Sequence, residues 1–164
     1  MFFPPAPEAD LSDVGSVDYP EALEVPPINE DEVKATIKAT KPGTAPGPDG
    51  ILNRILQLAA ETLAPILTYL FNCSLFSGHC PVHFRESKTV AIRKPGKDDY
   101  SDPKSYRPIA LLSTIGKVLE GIIAACLSEL AETLNLLPEN HYGGRRGRST
   151  EMAIHAMLET IYAA

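Results

Sequence analysis

Two short stretches with the composition of β-strands are joined by a polar loop, and this arrangement limits the fold more than any other part of the chain. The first stretch, Ser87–Arg93 (SKTVAIR), contains three β-branched residues, which favour a pleated strand. The second, Tyr106–Leu112 (YRPIALL), is apolar apart from Arg107. Pro108 lacks a backbone N–H, so the second strand must be short or lie at an edge. We therefore predict an antiparallel β-hairpin.

This hairpin is rich in basic side chains, which we expect on one side of the sheet: Arg93, Lys94, Lys97, Lys104 and Arg107. Lysine offers a mobile positive charge and arginine a planar fork, and both suit phosphate. Gly96 would let the backbone approach a ligand closely. The loop also contains Asp98, Asp99 and Asp102, which dilute the positive charge. The residue types fit a phosphate-binding hairpin, but by charge count alone an ordinary solvated hairpin with surface lysines is the better interpretation.

Apolar periodicity predicts helices on both sides of the hairpin, over residues 29–40, 52–63, 65–77, 114–130 and 149–162. Asn29 and Glu32 have the spacing of a capping box at the first helix. Pro65 suits the first turn of the third helix, where its missing N–H costs little. The predicted fold class is α+β, mostly helical, with a small antiparallel β-hairpin packed on the helices.

Charge divides the chain into an acidic first part, residues 1–32, and a mildly basic remainder, residues 33–164. The net charge is −6, but nine acidic residues and no basic one lie within residues 1–32. All 15 basic residues and the other 12 acidic ones follow, for a net charge of +3. Prolines are also concentrated near the start. We predict a disordered, Pro-rich leader over residues 1–28 and a domain over residues 29–164.

The cysteines predict an intracellular protein, in the nucleus or cytoplasm. Cys73, Cys80 and Cys126 are odd in number and irregularly spaced, which fits reduced thiols better than a disulfide scaffold. No signal peptide is visible, and no apolar run approaches the roughly 20 residues that cross a bilayer. Together with His79 and His83, two of these cysteines invite a zinc site, but the spacing matches no usual zinc pattern. We predict no metal site, with Cys73 buried on an apolar helix face.

Two glycine-containing loops complete the pattern. Residues 44–51 (TAPGPDGI) lack the spacing of a nucleotide-binding glycine loop, and we predict a structural turn in which Asp49 caps the next helix. Residues 138–150 (PENHYGGRRGRST) place Tyr142 beside three arginines: Arg145, Arg146 and Arg148. Arginines with a stacking aromatic residue and an open backbone suit a nucleic-acid strand. A flexible linker between helices would have a similar composition.

The order of these blocks resembles the fingers region of reverse transcriptases from non-LTR (LINE-like) retrotransposons. That family shows a K-P-G-K loop, then Y-R-P-I-(A/S)-L-L, then K-(V/I)-x-E at the start of a helix. It also has A-P-G-P-D-G-I upstream and L-P-x-x-(Q/H)-(F/Y)-G-(F/G)-R-x-x-R-S-T downstream. The matching residues here are 94–97, 106–112, 117–120, 45–51 and 137–150. The resemblance covers about residues 30–164 and implies the fingers and the beginning of the palm of a right-hand polymerase.

The resemblance also implies an activity for the intact enzyme. It would be an RNA-directed DNA polymerase, a nucleotidyltransferase that extends a DNA primer with dNTPs on an RNA template with the help of Mg²⁺. Residue by residue, the implied contacts to the incoming nucleotide are Lys94, Lys97 and Arg107. The implied contacts to nucleic acid are Tyr142, Arg145, Arg146 and Arg148. No membrane partner is implied.

The carboxylates that hold the metal ions in this family have no counterpart here. The family's F-x-D and (Y/F)-x-D-D blocks are both missing, and the only Asp-Asp pair is Asp98-Asp99 in the polar loop. We assign no catalytic residue and no cofactor to this chain, and we expect it to be an inactive fragment on its own. The alternatives are a non-enzymatic nucleic-acid-binding module and a non-functional remnant of a mobile element.

Overall fold

The computed structural model describes residues 25–162 and the isolated Ser12. Its elements are α1 (Glu30–Ala39), α2 (Asn53–Leu58), α3 (Ala60–Ser77), α4 (Val82–Arg85), β1 (Ser87–Arg93), β2 (Tyr106–Leu112), α5 (Thr114–Thr133) and α6 (Thr150–Tyr162). The chain divides into two compact units, one ending at Lys117 and one beginning at Val118. Helices and one two-stranded antiparallel sheet make up the described part, which confirms the mixed, mainly helical class.

Helix α1 begins as its sequence predicts. The Asn29 side chain accepts a hydrogen bond from the Glu32 backbone N–H at 2.9 Å, and the Glu32 carboxylate accepts one from the Asn29 N–H at 2.8 Å. These reciprocal bonds satisfy two donors that a helix start leaves open. Val33 and Ile37 on the inner face are fully buried, and α1 packs on α3. Leu56, Ala60, Ala64, Leu67 and Phe71 complete the buried cluster.

Ile28, two residues before the start of α1, is part of this packing. Ile28 is buried, and the Asn72 side chain on α3 pairs with both its N–H and its carbonyl, at 2.9 and 2.8 Å. The predicted leader of residues 1–28 lies mostly outside the described residues. Its last residue, however, is fixed against α3.

The break between α2 and α3 lies at Ala59, so the predicted boundary near Pro65 is wrong. Ala59 takes φ −94° and ψ 5°, and α3 then runs through Pro65 in its interior. Proline there removes one backbone hydrogen bond, which this helix tolerates. The prediction that Cys73 is buried is also wrong, because its side chain is exposed. Helix α3 buries Ala64, Leu67 and Phe71 instead.

Both strands of the hairpin have the predicted bounds. Ser87 pairs with Leu112 at one end and Arg93 with Tyr106 at the other. Every residue of β1 is exposed, and most of β2 is exposed as well. The expectation that the hairpin packs on the helices is therefore wrong. The sheet is attached at its base, near Leu112, and both of its faces are open among the described residues.

The turn at residues 44–51 is structural, but it does not cap the helix that follows it. Helix α2 begins at Asn53, and its N-cap residue, Leu52, provides no side-chain cap. Asp49 instead accepts a hydrogen bond from the backbone N–H of Thr114, the first residue of α5, at 2.8 Å. Gly47 is buried against β2, where an added Cβ would overlap the carbonyl of Leu112. This turn therefore joins the base of the hairpin to the start of α5.

The second unit contains most of α5 and all of α6. Helix α5 ends at Thr133, beyond the predicted Leu130, and the next residues up to the start of α6 form the glycine-containing loop. The Ser149 hydroxyl accepts a hydrogen bond from the Met152 N–H at 3.2 Å and so caps the start of α6. Helix α6 has no buried residue, and its apolar side chains Met157 and Ile161 are exposed.

Candidate nucleotide and nucleic-acid interface

A tight turn at the tip of the hairpin presents a lysine to solvent. Pro95 and Gly96 form the turn, and Gly96 has φ 69°, a left-handed conformation that glycine adopts without strain. Lys97 follows it and is exposed. Within the part of the chain that the structure describes, no hydrogen bond or ion pair holds its ammonium group. This cation is therefore available to an anionic ligand.

Lys94, by contrast, braces the loop from within. Its ammonium group donates to the backbone carbonyl of Lys104 at 2.8 Å, and its own carbonyl accepts from the Tyr100 hydroxyl at 2.9 Å. Tyr106 donates to the carbonyl of Tyr100 at 3.0 Å, and the two rings meet edge to face at 6.1 Å. These contacts give the polar loop a fixed shape.

The acidic residues of the loop shape the backbone as well. Asp99 accepts hydrogen bonds from the N–H and the hydroxyl of Ser101, at 2.7 and 2.8 Å. These bonds hold the pKa of Asp99 below its usual value, because they stabilise the charged carboxylate. Asp102 accepts from the Lys104 N–H at 2.9 Å. Two of the three acidic residues of the loop, Asp99 and Asp102, thus stabilise turns of the backbone.

Magnesium, which the family resemblance implies, finds no matching set of ligands in the described residues. No group of three or more His, Cys, Asp or Glu side chains lies close enough together there to hold a metal ion. Of the Asp98-Asp99 pair, Asp99 is already bound to Ser101. Hard divalent cations need several oxygen ligands together. We therefore derive no step through a metal ion in this chain.

The basic residues of the two strands do not share one side of the sheet, so this prediction is wrong. Directly paired residues lie on the same face, and neighbours along a strand alternate. Arg107 pairs with Ile92, whereas Arg93 pairs with Tyr106, which places the two arginines on opposite faces. Arg93 lies 5.0 Å from the centre of the Tyr100 ring. Arg107 is exposed on a face shared with Val90, Ile92 and Ile109.

The predicted nucleic-acid residues cluster in the loop between α5 and α6. Gly144 and Gly147 have φ 71° and 75°, conformations that let the chain turn sharply around the arginines. The guanidinium of Arg148 lies 5.2 Å from the centre of the Tyr142 ring, within the range of a cation–π contact. Arg146 is exposed. Tyr142 and Arg148 therefore form a basic and aromatic pair, and Arg146 lies exposed in the same loop.

Arg145 lies in the same loop but is bound within the chain. Its Nε and Nη2 donate to the two carboxylate oxygens of Glu132 at 2.7 and 2.6 Å. Its Nη1 donates to the carbonyls of Pro138 and His141 at 3.0 and 3.2 Å. The bonds from Arg145 hold the pKa of Glu132 below its usual value, and those to Glu132 raise the pKa of Arg145. Glu132 is a functional candidate that sequence reasoning missed.

Two grooves lie beside this pair. One, of about 820 Å³, is lined by small residues of α5 and by Arg146. The other, of about 520 Å³, is polar and is lined by Tyr142 and Arg148. Arg145 and Glu132 line both grooves, so the ion pair forms part of the wall between them.

Comparison with curated proteins identifies relatives that match most of this chain. The chain is 32% identical over 143 residues, 87% of its length, to a probable RNA-directed DNA polymerase from transposon BS of Drosophila melanogaster. It is 32% identical over 84% of its length to the RNA-directed DNA polymerase from mobile element jockey of Drosophila funebris. It is 31% identical over 93% of its length to a retrovirus-related Pol polyprotein from type-1 retrotransposable element R1 of Bradysia coprophila.

The chain is similar to one segment of the RNA-directed DNA polymerases of non-LTR retrotransposons. It spans only 15–16% of the length of these curated relatives, so it corresponds to a segment of a retrotransposon polymerase. No protein-family model matches it. Among the described residues, no helix combines the length and apolar character needed to cross a membrane.

Proposed function

We propose that this chain is the segment of a retrotransposon reverse transcriptase that holds the incoming nucleotide and the template–primer. The observation that carries the proposal is the similarity to RNA-directed DNA polymerases over most of the chain. The proposed place of the segment is the fingers and the beginning of the palm. Two separate basic surfaces support it, one on the hairpin and one on the loop between α5 and α6.

The hairpin is the proposed site for the triphosphate of the incoming nucleotide. Lys97 is exposed at the tip, and Arg107 is exposed on β2. A lysine can follow a phosphate as a mobile charge, and an arginine can bind it with two parallel hydrogen bonds. Lys94, whose ammonium group is bound to the Lys104 carbonyl, would contribute mainly by keeping the loop in shape.

The loop of the second unit is the proposed site for the nucleic-acid strand. Arg146 and Arg148 would contact backbone phosphates, and Tyr142 offers a ring on which a base can stack. Such contacts depend little on sequence, as suits a polymerase that must accept any template. The proposed partners are therefore an RNA template with its DNA primer and a dNTP.

Chemistry itself is not assigned to these residues. We expect the chain alone to bind substrate without joining nucleotides, because its described residues offer no carboxylate cluster for the metal ions of phosphoryl transfer. Primer extension by the purified chain with Mg²⁺ and dNTPs would contradict this part of the proposal.

Binding to a labelled RNA–DNA primer–template at several salt concentrations tests the proposal. We expect micromolar-range binding that weakens steeply with salt, because protein cations release counterions from phosphates. Replacing Arg146 and Arg148 together by alanine should weaken binding and reduce the magnitude of the salt slope by about two. The control replaces Arg54 and Arg85, exposed arginines on α2 and α4, and removes the same charge elsewhere.

Two results would count against the proposal. One is an absence of binding by the wild-type chain. The other is an equal loss of affinity in both double variants, which would show that binding follows net charge and does not use the loop.

A further inference from the structure

The Glu132–Arg145 pair is the most completely bonded ion pair among the described residues. The guanidinium meets both carboxylate oxygens in a forked arrangement, at 2.7 and 2.6 Å. Only 10% of the Arg145 side chain is exposed. Forked, charge-assisted hydrogen bonds fix direction as well as distance. Arg145 is therefore held in one orientation, with its donors turned toward the protein.

The pair ties the loop to the end of α5. Glu132 lies in the last turn of that helix, and the Nη1 group of Arg145 binds the carbonyls of Pro138 and His141. The N–H of Arg148 donates in turn to the carbonyl of Arg145 at 3.3 Å. This backbone hydrogen bond couples the position of Arg148 to that of Arg145. The segment has no regular secondary structure, and its other contacts are a hydrogen bond from the His141 N–H to the Pro138 carbonyl at 3.0 Å and the contact of Arg148 with the Tyr142 ring.

We infer that Glu132 is a positioning residue, which fixes Arg145 as a pin so that Arg146 and Arg148 face the nucleic-acid strand. The inference rests on the function proposed above, and it assigns Arg145 a different role from the contact implied by family resemblance. Arg145 orders the loop, and its two neighbours bind phosphate. A carboxylate beside a polyanion is unfavourable by itself, and its pairing with Arg145 removes that penalty.

Replacing Glu132 by glutamine separates this role from direct contact. Removing a negative charge should strengthen binding to any polyanion, and it would also release Arg145 if that arginine bound phosphate itself. A positioning role predicts the opposite. We expect Glu132→Gln to weaken primer–template binding about two- to fivefold, the range expected for losing an exposed ion pair. Glu129→Gln, one turn earlier on the same helix and also exposed, is the matched control and should bind as tightly as wild type or more tightly.

Two further measurements separate positioning from loss of fold. The thermal unfolding of Glu132→Gln should match that of Glu129→Gln, while trypsin should cleave after Arg146 and Arg148 faster in Glu132→Gln alone. The exchanged pair, Glu132→Arg with Arg145→Glu, should recover part of the lost affinity, because an ion pair with its partners exchanged can still hold the loop against α5. A phosphate contact made by Arg145 could not be recovered in this way.

The outcomes distinguish the two proposals. If the wild-type chain does not bind primer–template, the proposed function fails, and the role assigned to Glu132 fails with it. If the wild type binds and Glu132→Gln binds equally well or better, only the positioning role is overturned.

Discussion

The carboxylate of Asp49 caps helix α5 at Thr114, 65 residues further along the chain. One carboxylate oxygen accepts from the Thr114 N–H at 2.8 Å, and the other accepts from the Ile51 N–H at 3.1 Å. The Thr114 hydroxyl donates to the Ile51 carbonyl at 2.6 Å. Together these bonds fix the loop of residues 44–51 to the junction between the hairpin and α5.

Asp49→Ala should therefore lower the free energy of unfolding by about 1–2 kcal/mol, because the Thr114 N–H loses its acceptor and the start of α5 loses a favourable negative charge. Urea denaturation measures the loss. Asp98→Ala is the control, since Asp98 is exposed and makes no hydrogen bond or ion pair with a described residue. It should change stability by less than about 0.5 kcal/mol. Equal losses in the two variants would show that the cap contributes nothing.

Gly47→Ala should destabilise the fold more strongly, by about 2 kcal/mol or more. A Cβ at this position would lie 2.8 Å from the backbone nitrogen of Ser113 and would overlap the Leu112 carbonyl. Backbone cannot move aside as a flexible side chain can. Gly43→Ala is the matched control, because a Cβ there meets no atom within 4 Å. Its stability should stay near that of the wild type, and the same denaturation experiment compares the two.

The contact between α1 and α3 should weaken in acid. Hydrogen bonds hold the pKa of Glu61 below its usual value near 4.5, the larger effect coming from Lys38 and the smaller from Lys34. A lowered pKa in the folded state means that the pair stabilises the fold above the usual pKa, and that this contribution is lost as the pH falls through the folded-state value. Thermal unfolding from pH 6 to pH 3 should therefore fall more steeply for the wild type than for Glu61→Gln. The groups are exposed, so high salt should reduce the difference; parallel curves at low salt would contradict the prediction.

The opposite orientation of Arg93 and Arg107 gives a test on the hairpin. Arg107→Ala should abolish protection of the chain by a dNTP against limited proteolysis, because Arg107 is the proposed phosphate contact. Arg93→Ala removes the same charge from the other face of the sheet and should keep the protection. Primer–template affinity should change little in Arg107→Ala. If both variants lose protection alike, the nucleotide does not distinguish the two faces, and a general nucleic-acid-binding module becomes the better description.

Local signals in the sequence predicted local structure well. The strands Ser87–Arg93 and Tyr106–Leu112 have the predicted bounds, because β-branched residues and Pro or Gly act on the backbone where they stand. The capping box at Asn29 forms for the same reason, since both partners lie within one helical turn. No proline or glycine marks the break at Ala59. The predicted boundary lies at Pro65 instead, because proline usually marks the start of a helix.

Contacts between distant residues could not be predicted in this way. Asp49 precedes a helix, so the sequence suggested a cap for α2, and only the folded chain brings Thr114 within reach. The arginine-rich loop and the family resemblance predict Arg145 as a nucleic-acid contact, and neither indicates its partner Glu132, which lies 13 residues earlier in another element. One signal was available in the sequence. Glu132 is an acidic residue in the last turn of α5, where the helix dipole disfavours negative charge. That last turn contains no basic residue. Such a carboxylate needs a cation from outside its helix.

The cap that joins Asp49 to Thr114 also has a consequence for the order of folding. Closing a flexible loop of about 65 residues costs about 4 kcal/mol in chain entropy, more than the roughly 1–2 kcal/mol that one helix cap returns. The contact should therefore form late, after α1, α2 and α3 have packed and shortened the distance that the chain must close. Interactions that form after the transition state affect unfolding more than folding. Changes at Asp49 should thus shorten the lifetime of the folded chain while leaving the rate at which it folds almost unchanged.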